Sequence, residues 1–367
     1  MNLLIIPAYE PDERLLKLLG QLRAVSDIPV IVVDDGSQDS KNEIYNRIFE
    51  VAEKTYGCIL LKHAVNLGKG RALKTAFNFC LCHYPNFKYL ITADSDGQHT
   101  VSSIMKMLKV ADESKEELIL GVRDFSGNHI PLKSAFGNKL TTFVMKSFCG
   151  LSVSDTQTGL RGIPREFVKL LMNVKGERFE YETRMLLSSK ELSLNGRGFH
   201  IREVPIETIY ESKTNHQTHF DPIKDSLRIY GIFFESFGKF LFSSFLSFLL
   251  DIGLFYFFYN KLGGGAYSIA YATVGARIIS ATFNYMVNHK IVFASTVSHK
   301  QAYYQYWVLA FFIMCSSALL VTIIKSFLPS VSATLIKVCV DSLLFYVSFK
   351  VQRERIFSRN KKPSGGG

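Results

Sequence analysis

The sequence predicts an open, Rossmann-like α/β domain over residues 1–225, followed by an all-α bundle of four membrane-spanning helices over 238–357. Three observations carry this reading. Short apolar runs alternate with segments of helical spacing through the first part, the pattern of a parallel sheet with crossover helices. Composition changes near Phe237, after which apolar runs reach the ~20 residues needed to cross a bilayer core. Polar clusters fall at the carboxyl ends of the predicted strands, where an open α/β sheet builds its site.

The first unit is a strand, Leu3 to Ile6, ending in Pro7-Ala8-Tyr9-Glu10, and a helix from Glu13 to Leu22 with leucines at helical spacing. Pro29 to Val33 is a second buried strand that stops at Asp34-Asp35-Gly36-Ser37. A third, Cys58 to Lys62, precedes the loop Asn66-Leu67-Gly68-Lys69-Gly70 and a helix from Arg71 to Cys82. A lysine between two glycines at a helix start suits a diphosphate, since backbone amides and the helix dipole add to its charge. The spacing and ending of a Walker A loop are missing. Tyr89 to Ala93 delivers Asp94-Ser95-Asp96-Gly97-Gln98. In an extended segment residues two apart point the same way, so Asp94 and Asp96 reach one divalent ion together.

A net charge of +11 on 367 residues fits nucleic acid, an anionic membrane surface or anionic substrates. The membrane reading gains because basic residues cluster beside the apolar segments, from Lys350 to Lys362 and around His289 to Lys300. No nucleic-acid motif is present. The six cysteines form no CxxC pair and lack histidines at metal spacing, so they read as reduced thiols. Met1 to Tyr9 has no basic n-region and no cleavable h-region, which places the first domain in the cytosol.

Taken together, Ile5-Ile6-Pro7-Ala8-Tyr9-Glu10, Val32-Val33-Asp34-Asp35-Gly36-Ser37, Asn66-Leu67-Gly68-Lys69-Gly70 and Asp94-Ser95-Asp96-Gly97-Gln98-His99 resemble family 2 glycosyltransferases of the GT-A fold. Gly121-Val122-Arg123, Asp155-Thr156-Gln157-Thr158-Gly159-Leu160-Arg161 and Glu203-Val204-Pro205-Ile206 resemble the dolichol-phosphate mannosyltransferase branch and its bacterial polyprenyl-phosphate relatives. The resemblance implies that Pro7, Ala8, Tyr9, Glu10 and Asp35 hold base and ribose, with Gly68 and Lys69 near the phosphates. It implies that Asp94, Asp96 and Gln98 hold Mg²⁺ or Mn²⁺ against the diphosphate of a UDP- or GDP-sugar. Arg123 and Lys133 would bind the phosphates of acceptor and donor, Asp155 matches a catalytic carboxylate, and Arg161 would orient it. Of the family's Gly-Glu-Ser-Lys motif only Glu211-Ser212-Lys213 remains, and Lys213 keeps a phosphate contact in this reading. A phosphate acceptor is already anionic near neutral pH, so a strong general base is not required.

In the second part, Gly238 to Tyr259, Ala266 to Val287, Tyr303 to Leu328 and Val331 to Phe349 are the predicted spans. Residues 226–237 read as an interfacial helix or linker, and 358–367 as a disordered basic tail. The basic loop with Lys290 and Lys300 and the basic tail place both termini in the cytosol. Asp251, Arg277, Lys337 and Asp341 are costly in hydrocarbon and must pair, face a cavity or snorkel. Arg277-Ile278-Ile279-Ser280, Asn284-Tyr285, Asn288-His289-Lys290 and Val292-Phe293 resemble a GtrA-like membrane domain, whose members are associated with polyprenyl-linked sugars.

The expected protein is thus a multi-pass inverting glycosyltransferase using polyprenyl (undecaprenyl or dolichyl) phosphate as acceptor. Its rivals are a hydroxyl-directed transferase making a glycolipid or polysaccharide, and a flippase with a loading domain. The Gln-x-x-Arg-Trp motif of processive synthases is absent, and the sole tryptophan is Trp307.

Overall fold

A computed structural model describes residues 1–38, 43–123, 132–191, 193–194, 197–207, 224–263, 266–293, 295 and 297–357. The chain divides into two compact units, Met1–Ile232 and Phe233–Gly367.

The first unit is built on a seven-stranded mixed sheet. Its strands are β1 (Leu3–Ala8), β2 (Val30–Asp34), β3 (Ile59–Lys62), β4 (Tyr89–Thr92), β5 (Leu118–Arg123), β6 (Arg161–Pro164) and β9 (Ile201–Ile206), in the order β3-β2-β1-β4-β6-β5-β9. A separate two-stranded ribbon pairs β7 (Ser193–Leu194) with β8 (Arg197–Gly198). β1 to β4 are mutually parallel, as their continuous apolar runs predict, and β5 is parallel to β9. β6 alone runs antiparallel to both its neighbours. That reversal matters for the site, because it brings the residues entering β6 to the edge where β1, β2, β4 and β5 end.

Helices cover both faces. Leu4, Ile6 and Ala8 of β1 join one core with α1 (Glu13–Arg23), α2 (Ile44–Lys54) and α4 (Val101–Glu113). On α1, Leu15, Leu18, Leu19 and Leu22 are buried, each stabilising the fold by roughly 1.5–3 kcal/mol. Asp12 caps this helix by accepting from the Arg14 amide at 2.9 Å. α3 (Lys69–His83) packs on β1 and β2 and also meets α6 (Arg165–Leu171) and α7 (Glu180–Glu191). α5 (Leu132–Val144) continues into a π-helical turn, Met145–Cys149.

Four long helices make up the helical part: α8 (Lys224–Lys261), α9 (Ala266–Val287), α10 (His299–Phe327) and α11 (Ala333–Val351). Among the described residues, Phe237–Lys261 and His299–Phe327 are long and apolar enough to cross a membrane. Their large apolar side chains, Phe242, Phe245, Phe248, Phe311 and Phe312 among them, are exposed. The interior is stitched by amides. Asn288 accepts from Ser243 Oγ (2.6 Å) and donates to Asn284 Oδ1 (2.8 Å) and Gln352 Oε1 (3.1 Å), while Tyr306 donates to Asn284 (3.2 Å). These bonds join α8, α9, α10 and the turn after α11, and Asn288 is fully buried. Asn288→Ala should therefore strand several partners, costing about 1–3 kcal/mol, read as a lowered melting temperature in detergent.

Two acidic residues of these helices have partners among the described residues. Asp251 accepts from Ser280 Oγ at 2.7 Å and lies 3.4 Å from Arg277. Asp341 accepts from Ser317 of α10 at 2.5 Å. The Lys337 side chain lies outside the described residues.

Candidate active site

The register of the sheet sets the site. Ala8 pairs with Asp34, Asp34 with Lys62, and Thr92 with Arg161, so the ends of β1 to β4 and the segment before β6 share one edge. Arg123 closes β5 at the same edge.

At the β1–β2 side, Pro7 and Ala8 are buried within the strand, leaving Tyr9 and Glu10, both half-buried, as the side chains that reach outward. Burial, then the neighbouring Glu10, raises the Tyr9 phenol above its ordinary pKa. The Glu10 amide donates to Ser37 Oγ at 2.8 Å. Asp35, expected at the ribose, has partners of its own in the protein. Its carboxylate is buried and accepts from the amides of Leu67 (3.0 Å) and Gly68 (2.8 Å), with His63 Nδ1 at 2.8 Å. Asp35 therefore organises the glycine-lysine loop from beneath. That loop is tight: a Cβ on Gly68, whose φ is +103°, would lie 2.5 Å from the Glu177 carbonyl oxygen, and one on Gly70 would lie 2.5 Å from Tyr181 Cβ.

Lys69 opens α3, as expected, and points to carboxylates. Its Nζ lies 2.6 Å from Asp94 Oδ1 and 2.8 Å from Glu182 Oε2. Burial alone would lower the lysine pKa, but Asp94 and Glu182 outweigh it and raise it. Burial likewise opposes ionisation of Asp94, yet Lys69 and then His99, 3.4 Å away, hold that carboxyl well below the usual range. Glu182, on α7, carried no signal in the sequence, because nothing in its local pattern marks a residue brought in by a distant helix.

Asp94 lies just past β4 and Asp96 on the turn that begins at Ser95, where an extended segment was expected. Gly97 adopts a φ of +75° and the Gln98 amide donates to Asp96 Oδ1 at 3.1 Å, closing the turn after the second carboxylate. The two carboxylates still share one field: burial, then the charge of Asp94, raises the Asp96 pKa. Among the described residues no cluster of three histidine, cysteine or acidic side chains forms a metal cage. Two neighbouring carboxylates and the Gln98 amide nevertheless fit a hard divalent ion that keeps water and diphosphate oxygens as its other ligands, and such an ion relieves the repulsion that raises Asp96.

Asp155 is fully buried, and its partner corrects the sequence reading. Arg123 grips it with Nε to Oδ2 (2.7 Å) and Nη2 to Oδ1 (3.0 Å), and the Gln157 amide donates to Oδ1 at 3.0 Å. Arg161 instead donates to the carbonyls of Thr158 (2.9 Å) and Glu182 (2.7 Å). The reason is register: Arg161 starts β6 and turns inward, while Arg123 ends β5 facing the loop. Asn138 of α5 pins that loop on both sides of Asp155, donating to the Ser154 carbonyl (2.8 Å) and accepting from the Thr156 amide (3.1 Å). Glu203 of β9 accepts from Ser154 Oγ at 2.6 Å. The Lys133 side chain and Lys213 lie outside the described residues.

Residues 3–171 match the family described as glycosyl transferase family 2. An uncharacterized Methanocaldococcus jannaschii protein is 30% identical over 210 residues, spanning 56% of this chain and 80% of its own. The UDP-N-acetylglucosamine–dolichyl-phosphate N-acetylglucosaminyltransferase of Methanococcus voltae is 29% identical over 226 residues, spanning 56% of this chain and 85% of its own. A dolichyl-phosphate beta-glucosyltransferase of Trichomonas vaginalis is 24% identical over 222 residues, spanning 55% and 64%. The chain belongs to glycosyl transferase family 2 and is a glycosyltransferase.

Proposed function

We propose that the chain transfers one hexose, with inversion, from a UDP- or GDP-sugar to a polyprenyl phosphate at the cytosolic face of a membrane. The observation that carries the choice of acceptor is the state of Asp155. Both its oxygens are bound and it is fully buried, which suits it poorly to deprotonating a hydroxyl. A phosphate oxygen, already anionic, attacks the anomeric carbon unaided as the bond to the nucleoside diphosphate breaks and the diphosphate leaves with its electron pair. The relatives named for dolichyl-phosphate glycosylation support the same acceptor class.

In this reading Tyr9 and Glu10 bind the nucleoside, and Lys69 lies beside the diphosphate. Asp94, Asp96 and Gln98 would hold Mg²⁺ or Mn²⁺, which supplies positive charge to the leaving oxygens. Arg123 presents the edge of a guanidinium already fixed by Asp155 to the acceptor region, with Lys133 and Lys213 as further cations.

The helical part, residues 238–357, anchors the enzyme as four spans in a GtrA-like arrangement, and both termini are cytosolic. Two exposed apolar helices of spanning length and the basic residues beside them support this topology. The amide network across the helices favours an anchor over a polar path for flipping lipid-linked sugar, since Asn284, Asn288 and Gln352 bond to one another.

The test is a donor screen with undecaprenyl phosphate in detergent, metal added or chelated, wild type beside Asp96→Ala. Radiolabel should enter the organic phase only with metal and fall at least about 100-fold in the variant. Transfer to a sugar hydroxyl in place of lipid phosphate would refute the acceptor assignment.

A further inference from the structure

Asp94 is claimed from two sides. On one, Lys69 Nζ sits 2.6 Å from Oδ1; on the other, the backbone of Gly159 is so close that a Cβ there would lie 2.1 Å from Oδ2. Glu182 holds the same ammonium at 2.8 Å and is itself fixed, its carbonyl accepting from Arg161 Nη1 at 2.7 Å. Glu182 Oε1 is buried with no hydrogen-bond partner among the described residues, so this carboxylate has accepting capacity left for the ammonium. A cation approaching Asp94 therefore meets one already in place, with a second carboxylate beside it onto which that ammonium can shift.

We infer that Lys69 is a resident counter-ion of Asp94, retained by Glu182, and that it couples metal binding to nucleotide binding. This rests on the metal role proposed for Asp94 and Asp96. With the nucleotide site empty, the ammonium lowers the negative potential that a divalent ion would feel at Asp94. An incoming diphosphate offers the ammonium new charged acceptors, draws it from Asp94 and exposes that carboxylate to the ion. Glu182 stays with the lysine throughout and is a positioning residue. By linkage, metal tightens nucleotide as much as nucleotide tightens metal.

The coupling is measurable without turnover. Mn²⁺ binding to the full-length protein in detergent is followed by the free-ion paramagnetic resonance signal, alone and with UDP or GDP, against nucleotide-only controls. The wild type should bind Mn²⁺ weakly alone and about 10-fold or more tightly with the accepted nucleotide. Lys69→Met should bind Mn²⁺ alone about 10-fold more tightly than wild type and show a smaller nucleotide effect, the remainder coming from the diphosphate oxygens on the ion, whereas Lys69→Arg keeps the full coupling. Glu182→Gln, which leaves the ammonium to Asp94 alone, should weaken Mn²⁺ binding in the absence of nucleotide, and it serves independently if Lys69→Met does not fold. A Lys69→Met protein in which the nucleotide still tightens Mn²⁺ by the wild-type factor would overturn the counter-ion role and leave the metal reading standing. No Mn²⁺ bound by wild type under any condition would overturn both.

Discussion

Gly159→Ala is expected to lower sugar transfer by about 100-fold while the protein still folds. The added methyl would lie 2.1 Å from Asp94 Oδ2 and 2.5 Å from its other two carboxyl atoms, far inside contact distance. The backbone cannot retreat freely, because the Gly159 carbonyl accepts from Thr92 Oγ1 at 2.8 Å and thereby ties this segment to β4. Gly159 has no left-handed φ, so alanine adds bulk without a backbone penalty. The carboxylate must swing, breaking its fit with Asp96 and Lys69, and a displacement of about 1 Å in a catalytic group is enough for a loss of that size. Overpacking adds a destabilisation of about 1–3 kcal/mol, visible in a thermal melt. Initial rates with saturating donor, beside far-ultraviolet circular dichroism, decide the matter. Transfer within threefold of wild type would remove Asp94 from the reaction.

Much of the parallel half of this site was legible in the sequence, and the reasons are local. Each of β1 to β4 is a short apolar run closed by polar residues, so strand, strand end and site residue can all be read from one stretch of chain. Lys69, Asp94 and Asp96 follow from that pattern. What the sequence hid is long-range. The antiparallel setting of β6 reverses the direction from which Asp155 and Gly159 arrive, and no periodicity announces it. Hence sequence proximity pairs Arg161 with Asp155, six residues away, whereas in the fold Arg123 on β5 holds it. Asn138 and Glu182 come from helices whose own patterns speak only of packing. The turn over Ser95 and Asp96 replaces the extended backbone on which the alternation argument for Asp94 and Asp96 stood, since two-residue periodicity holds only while the backbone stays extended. In the helical part, the two apolar helices of spanning length were legible from hydropathy, whereas the meeting of Asn288 with Gln352, 64 positions away, depends on tertiary packing.

Breaking the Arg123–Asp155 pair separates structural from chemical roles at the acceptor end. The carboxylate is fully buried and the guanidinium nearly so, and removing one partner leaves the other's charge uncompensated. Arg123→Met and Asp155→Leu should each cost about 3–5 kcal/mol, read as a fall in melting temperature. The double variant replaces the pair by apolar side chains of similar bulk and should recover most of that stability, because neither desolvated charge remains. Its transfer activity should not recover, since the acceptor phosphate has lost the cation that the sheet edge presents. The two readouts therefore diverge: stability returns in the double variant and transfer does not. A double variant that recovers both would mean that the pair only holds β5 to the loop before β6. Activity surviving in Arg123→Met, with Asp155 released and accessible, would instead restore the carboxylate as a base and with it a hydroxyl acceptor.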